Sequence, residues 1–101
     1  MKTKLIEFAP FAYESITVTG TAVGLTAATY QQTERAVKAL ITLEGGSIRW
    51  RADGGAPTTT EGHLLEDGQT LRLDSPDAVK NFKAIKTGTT NGIIRVTYLR
   101  G

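Results

Sequence analysis

Cysteine is absent from the 101 residues, and histidine occurs once, as His63. The first absence excludes disulfide staples, thiolate metal sites and a cysteine nucleophile. The second argues against a cupin-type metal centre, which rests on several histidines and a carboxylate. No apolar run approaches the roughly 20 residues that a membrane-spanning helix requires. The opening stretch from Met1 to Pro10 carries lysines, but Glu7 and Pro10 interrupt its apolar residues. A signal peptide is therefore not expected, and synthesis in the cytoplasm is. A strong net charge is also lacking: 12 Lys and Arg against 10 Asp and Glu leave +2, too small to imply nucleic-acid binding by itself.

What is present suits one folded domain. With 40% hydrophobic and 22% charged residues the chain is not of disordered composition, and its length allows a single core. Period two dominates. In Val37-Lys38-Ala39-Leu40-Ile41-Thr42-Leu43-Glu44, alternate residues Val37, Ala39, Ile41 and Leu43 share a face, with Leu40 as the one apolar exception opposite. Ser47-Ile48-Arg49-Trp50-Arg51 alternates likewise, and Gly45-Gly46 between the two predicts a tight hairpin at the centre of the sheet.

Leu5-Ile6-Glu7-Phe8 and Ile16-Thr17-Val18-Thr19 read as short strands, with Pro10 ending the first. Thr21 to Tyr30 is expected to be a weak strand and residues 31–35 a loop; a helix from Leu25 to Leu40 is the competing reading. Residues 52–63 hold Asp-Gly, Gly-Gly and Pro and predict a long loop. Leu64-Leu65 is expected to tuck inward, before a strand over residues 70–73. Ser75-Pro76-Asp77 breaks the pattern and caps at most one short helical turn near residues 76–81. Residues 82–86 and 93–99 close the series, with Asn91-Gly92 as a second hairpin cue. The pattern predicts an all-β fold. It is a single antiparallel β-sandwich or jelly-roll-like barrel of seven or eight short strands.

No grouping of residues builds an active site, and no cofactor is expected. His63 has no second imidazole or thiol beside it, and no serine lies in a strained nucleophile turn. Glu66-Asp67 and Asp74/Asp77 flank turns, where acids bond local amides. Asp53, Glu61, Glu66 and Asp67 lack the every-second-residue acids of a calcium loop. Arg49-Trp50-Arg51 has the composition of a stacking site for nucleic acid, but alternation sends Trp50 to the core side and both arginines to the other. Paired on one face, Arg49 and Arg51 suit carboxylates such as Asp53, or a neighbouring subunit.

Two further surface features stand out. Residues 78–101 contain Lys80, Lys83, Lys86, Arg95 and Arg100 with no acid, giving either a basic pole or an ordinary solvated sheet face. Phe8, Phe11 and Tyr13 surround Pro10; they either close one end of the core or form an N-terminal interaction arm over residues 1–14.

The central part of the chain resembles a known group. Gly24-Leu25-Thr26-Ala27, Ala36, Ala39 to Glu44 and Ile48 to Gly54 come first, followed by Pro57-Thr58, Gly62-His63-Leu64-Leu65, Phe82 to Ile85 and Val96-Thr97-Tyr98. This ordered set, over residues 24–98, is similar to small bacteriophage virion structural proteins of comparable length. The resemblance implies a β-sandwich located in the virion, a homo-oligomer whose partners are other virion proteins and whose role is not catalytic. A capsid decoration (cement) protein on the major capsid protein is the leading expectation. A head–tail connector or tail component is the nearest alternative. From another class, a small-molecule or carbohydrate-binding module with residues 53–63 at its mouth stays open.

Overall fold

The computed structural model describes residues 8–101. Among them the chain runs β1 (Ala9–Val18), β2 (Val23–Gly24), α1 (Ala27–Tyr30), β3 (Lys38–Gly45), β4 (Ile48–Arg51), β5 (His63–Leu65), β6 (Thr70–Leu73), α2 (Pro76–Asn81), β7 (Lys83–Lys86) and β8 (Gly92–Arg100). The strands make two antiparallel four-stranded sheets, ordered β1-β8-β3-β6 and β2-β7-β4-β5. Every step between consecutive strands changes sheet, except β4 to β5. Eight strands wound in this order form a jelly roll, a double-sheet architecture in which the first and last strands lie side by side.

Alternation explains the core. Ala39, Ile41 and Leu43 of β3 and Ile94, Val96 and Tyr98 of β8 are buried from the first sheet. Ile48, Leu65, Phe82 and Ala84 meet them from in and around the second. Burial of each large aliphatic side chain contributes roughly 1.5–3 kcal/mol, so these two inner faces supply most of the driving force. Ser75 caps α2 as its sequence suggests, its hydroxyl accepting from the Ala78 N–H at 3.1 Å, with Pro76 in the first turn.

Both glycine-based hairpin expectations are wrong, for one shared reason. β3 and β4 lie in different sheets, and so do β7 and β8. Gly45 faces Gly92 in the ladder, and the Gly46 N–H donates to the Asn91 carbonyl at 3.1 Å. Two chain crossings therefore touch each other at one corner. A Cβ on Gly46 would stand 2.0 Å from the Thr90 carbonyl oxygen, and one on Gly92 would stand 2.8 Å from the Gly46 oxygen. The glycines serve close backbone approach between crossings, not a tight reversal.

The N-terminal part also needs correction. Pro10 does not end a strand: β1 passes through it, with a bulge between Pro10 and Ala12. Proline is tolerated there because β1 is an edge strand. Ala9 to Glu14 are thus laddered onto β8 and are no free arm. Of the strand expected at residues 5–8, Phe8 is in no strand, and residues 1–7, with the rest of that strand and of the expected arm, lie outside the described residues. Between Thr21 and Leu40 neither reading holds in full. The chain gives a two-residue strand, a four-residue helix and a connection closed by the Ala36 N–H donating to Tyr30.

Candidate docking surface

The register assigns the outward side chains of the first sheet. Across it run Thr17, Ile93 and Glu44; then Ser15, Arg95, Thr42 and Thr70; then Tyr13, Thr97, Leu40 and Arg72. Five large hydrophobic side chains are exposed among the described residues, and three of them sit in these rows: Tyr13 (57%), Leu40 (40%) and Ile93 (36%). A fourth, Phe8, adjoins the same face, because outward-facing Lys38 places its Nζ 4.1 Å from the Phe8 ring centroid.

The charges at the centre of this face, Arg95 and Glu44, are closed within the chain, whereas Arg72 at the β6 margin has no ion pair among the described residues. Arg95 donates from Nε to Glu44 at 2.8 Å and from Nη1 to the Ser15 hydroxyl at 2.8 Å. That pairing holds the Glu44 carboxyl below its ordinary range and raises the Arg95 guanidinium further. Tyr13 and Ser15 hydroxyls lie 3.2 Å apart, joining the same network. Lys38 approaches Asp74 at 3.7 Å. The result is a surface with exposed apolar side chains around a fixed polar centre and, at its margin, a cation, Arg72, unpaired among the described residues.

Beneath it, Glu14 turns inward from β1. It accepts from the Tyr98 hydroxyl, from the Thr26 hydroxyl at 2.6 Å and from the Thr26 N–H at 3.2 Å. Burial, and then the bond to Glu14, push the Tyr98 hydroxyl above the usual phenol range, so it remains a donor. This ties the edge strand to β8 and to the start of α1.

The outer face of the second sheet is different. Arg49 donates to the carbonyls of Thr59 at 3.2 Å and Gly62 at 2.9 Å. Arg51 forms a two-bond pair with Asp53, at 3.0 and 2.7 Å. The guanidinium of Arg51 lies against Gly55, where a Cβ would come within 2.5 Å of it, and Pro57 is buried. Residues 52–62 therefore fold back on their own sheet, and both arginines are spent fastening them. Trp50 points the other way, as alternation requires, its ring 6.0 Å from Phe82 and 4.8 Å from His63.

The basic segment does not form a pole. Lys80 lies on α2, Lys83 faces outward on the second sheet, and Arg95 belongs to the first. Lys86, at the far end of β7, donates to Asn91 at 3.0 Å. Among the named interface candidates, the structure brings together Phe8 and Tyr13 on one face, half-buries Phe11 against the core, and scatters the lysines. Leu64 was expected inside; Leu65 is, but Leu64 is exposed on the outer side of β5.

Leu40, which alternation already set opposite the core-facing residues, and Ile93 were not among the expected interface residues, although the sequence carried a signal for both. Each is an apolar residue out of phase with the alternation of its strand, and a wrong-phase apolar side chain must face outward. Two shallow recesses remain. One of about 350 Å³ is lined by Arg51, Glu61, Gly62 and His63, and one of about 240 Å³ lies between the helices beside Arg35, Asp77 and Lys80. No group of three or more His, Asp or Glu placed to hold a metal occurs among the described residues. Among the described residues no helix is long and apolar enough to cross a membrane. Comparison with known protein families, curated proteins and solved structures returns no match.

Proposed function

We propose that this chain is a non-enzymatic virion structural protein, a capsid decoration protein that docks in many copies on the major capsid protein. The observation that carries the reading is the outer face of the first sheet, where Phe8, Tyr13, Leu40 and Ile93 stand exposed around a closed Arg95–Glu44 pair. Apolar and aromatic side chains around a satisfied polar centre are the make-up of an interface core. The virion assignment comes from the resemblance over residues 24–98. Jelly rolls recur in viral capsids, which supports it by fold analogy alone.

The test is to add purified protein to particles lacking it and to count bound copies after sedimentation. Saturation at on the order of hundreds of copies per particle supports decoration, as repeated symmetric sites require. Saturation at about a dozen copies on one vertex would favour the connector alternative. Leu40→Glu and Ile93→Glu are expected to abolish binding while leaving the fold intact. Binding that survives both changes removes this face from the reading.

A second reading has one observation behind it, the recess of about 350 Å³ beside His63. A carbohydrate or small ligand seated there would raise the unfolding temperature in a screen of sugars, nucleotides and divalent ions.

A further inference from the structure

The free edge of β1 is ten residues long, whereas the other edge strands β2, β5 and β6 have two, three and four. Backbone alternation decides which of its groups point outward. Gly46 donates to the Asn91 carbonyl, so residues of β8 in phase with Asn91 address β3 and those in phase with Gly92 address β1. Leu43, bonded on its other side to Gln69 and Gly68, fits the same phase. Ala12, Glu14, Ile16 and Val18 are then committed to β8, and the N–H and C=O of Tyr13, Ser15 and Thr17 face away from the sheet. Among the described residues these groups have no backbone partner.

Outward lysine, proline and a bulge, three usual protections of an edge, are lacking over residues 12–18. Ala9–Val18 contains no Lys or Arg, and Pro10 and the bulge come before Ala12. The only charge in the strand, Glu14, turns inward, where Tyr98 and Thr26 already satisfy it. Tyr13, Ser15 and Thr17 are exposed and uncharged, and the nearby Arg95 is paired within its own chain.

We infer that two copies of the chain pair β1 against β1, antiparallel, about a two-fold axis at Ser15. Ser15 then faces its own copy, and Tyr13 faces the partner subunit's Thr17. This register matches every outward donor of one strand to an acceptor of the other, for about six interchain hydrogen bonds. No like charges meet across the axis, and the two first sheets become one eight-stranded sheet. The inference deepens the docking reading, since the dimer presents two copies of the docking face side by side and gains avidity.

Light scattering on the purified chain is expected to give twice its 10.8 kDa mass. Amide exchange should be slow at Tyr13, Ser15 and Thr17. Ser15→Pro removes the central outward donor but no bond to β8, and proline is tolerated on an edge of this kind. It is expected to give the single-chain mass with cooperative unfolding retained. Ser15→Lys, which sets two like charges opposite each other, is the second variant and is expected to do the same. A wild-type chain that stays monomeric at its highest soluble concentration overturns the pairing. So does a dimer that survives Ser15→Lys, or one whose Tyr13, Ser15 and Thr17 amides exchange freely. A dimer that never binds particles would leave this pairing standing and remove the docking reading; a monomer that binds them would do the reverse.

Discussion

The two outer faces of this sandwich solve the same problem in opposite ways. Each has apolar residues out of phase with its strands: Leu40 and Ile93 on the first sheet, Leu64 and Ile85 on the second. The second sheet draws residues 52–62 back toward itself, with Arg49 and Arg51 as fasteners. The first carries no such cover among the described residues, and its ion pairs close flat against the strands. A face covered by its own loop has spent its hydrogen bonds inside the chain. A bare face whose central charges are paired can be covered there by a partner without leaving a buried charge unpaired, with Arg72 at the rim in solvent.

The difference can be tested, beginning with the corner that joins the two sheets. Gly46→Ala forces a methyl group into the Thr90 carbonyl and should cost about 3 kcal/mol or more, read as a lower denaturation midpoint or loss of soluble protein. If it is neutral, the corner is not the tight contact described. Next is Arg49→Met, which keeps the apolar stem and removes both carbonyl contacts of the loop. A loss of about 1–2 kcal/mol is expected, together with faster amide exchange across residues 52–62. A loop that keeps its protection would mean that Pro57, rather than Arg49, holds it down.

On the bare face, Leu40→Glu should change stability by no more than about 0.5 kcal/mol, because the side chain contacts solvent. A large loss would show that Leu40 packs within the chain, and the contrast between the faces would fail. The smallest effect concerns pH. The Arg51 guanidinium, and then the Gly55 N–H, hold the Asp53 carboxyl at about 2, below its ordinary 3.8. Since the folded value is the lower, the loop gains stability above about pH 4 and loses it as pH falls toward 2. Asp53→Asn should flatten that acid dependence of loop exchange and leave exchange on the first sheet unchanged.

What the sequence revealed was what depends on near neighbours. Alternation placed Ala39, Ile41, Leu43, Ile48 and Trp50 correctly, and Ser75-Pro76 announced α2. The pairing of Arg51 with Asp53, two residues away, was legible for the same reason. Gly45-Gly46 and Asn91-Gly92 misled because a crossing between sheets and a hairpin ask for the same glycines. What separates them is that Gly45 faces Gly92, a choice made by distant strands. The proposed docking face was half visible. Tyr13 stood out as an aromatic near the N terminus, but Arg95 and Glu44 come together only once β3 lies beside β8.

The pairing of Ala9 with Arg100 and of Val18 with Gly92 has a consequence for how the molecule is made. The central neighbour of both β1 and β3 is β8, which leaves the ribosome after the other seven described strands. The first sheet therefore cannot close until β8 has been made, and until then β1 lacks its ladder partner among the described residues. Contacts spanning nearly the whole chain put acquisition of the native state in the range of milliseconds to seconds. A nascent chain stopped before Gly92 would hold β3 and β6 together but leave β1 without its β8 neighbour, so the arrival of β8 is itself the trigger for assembly.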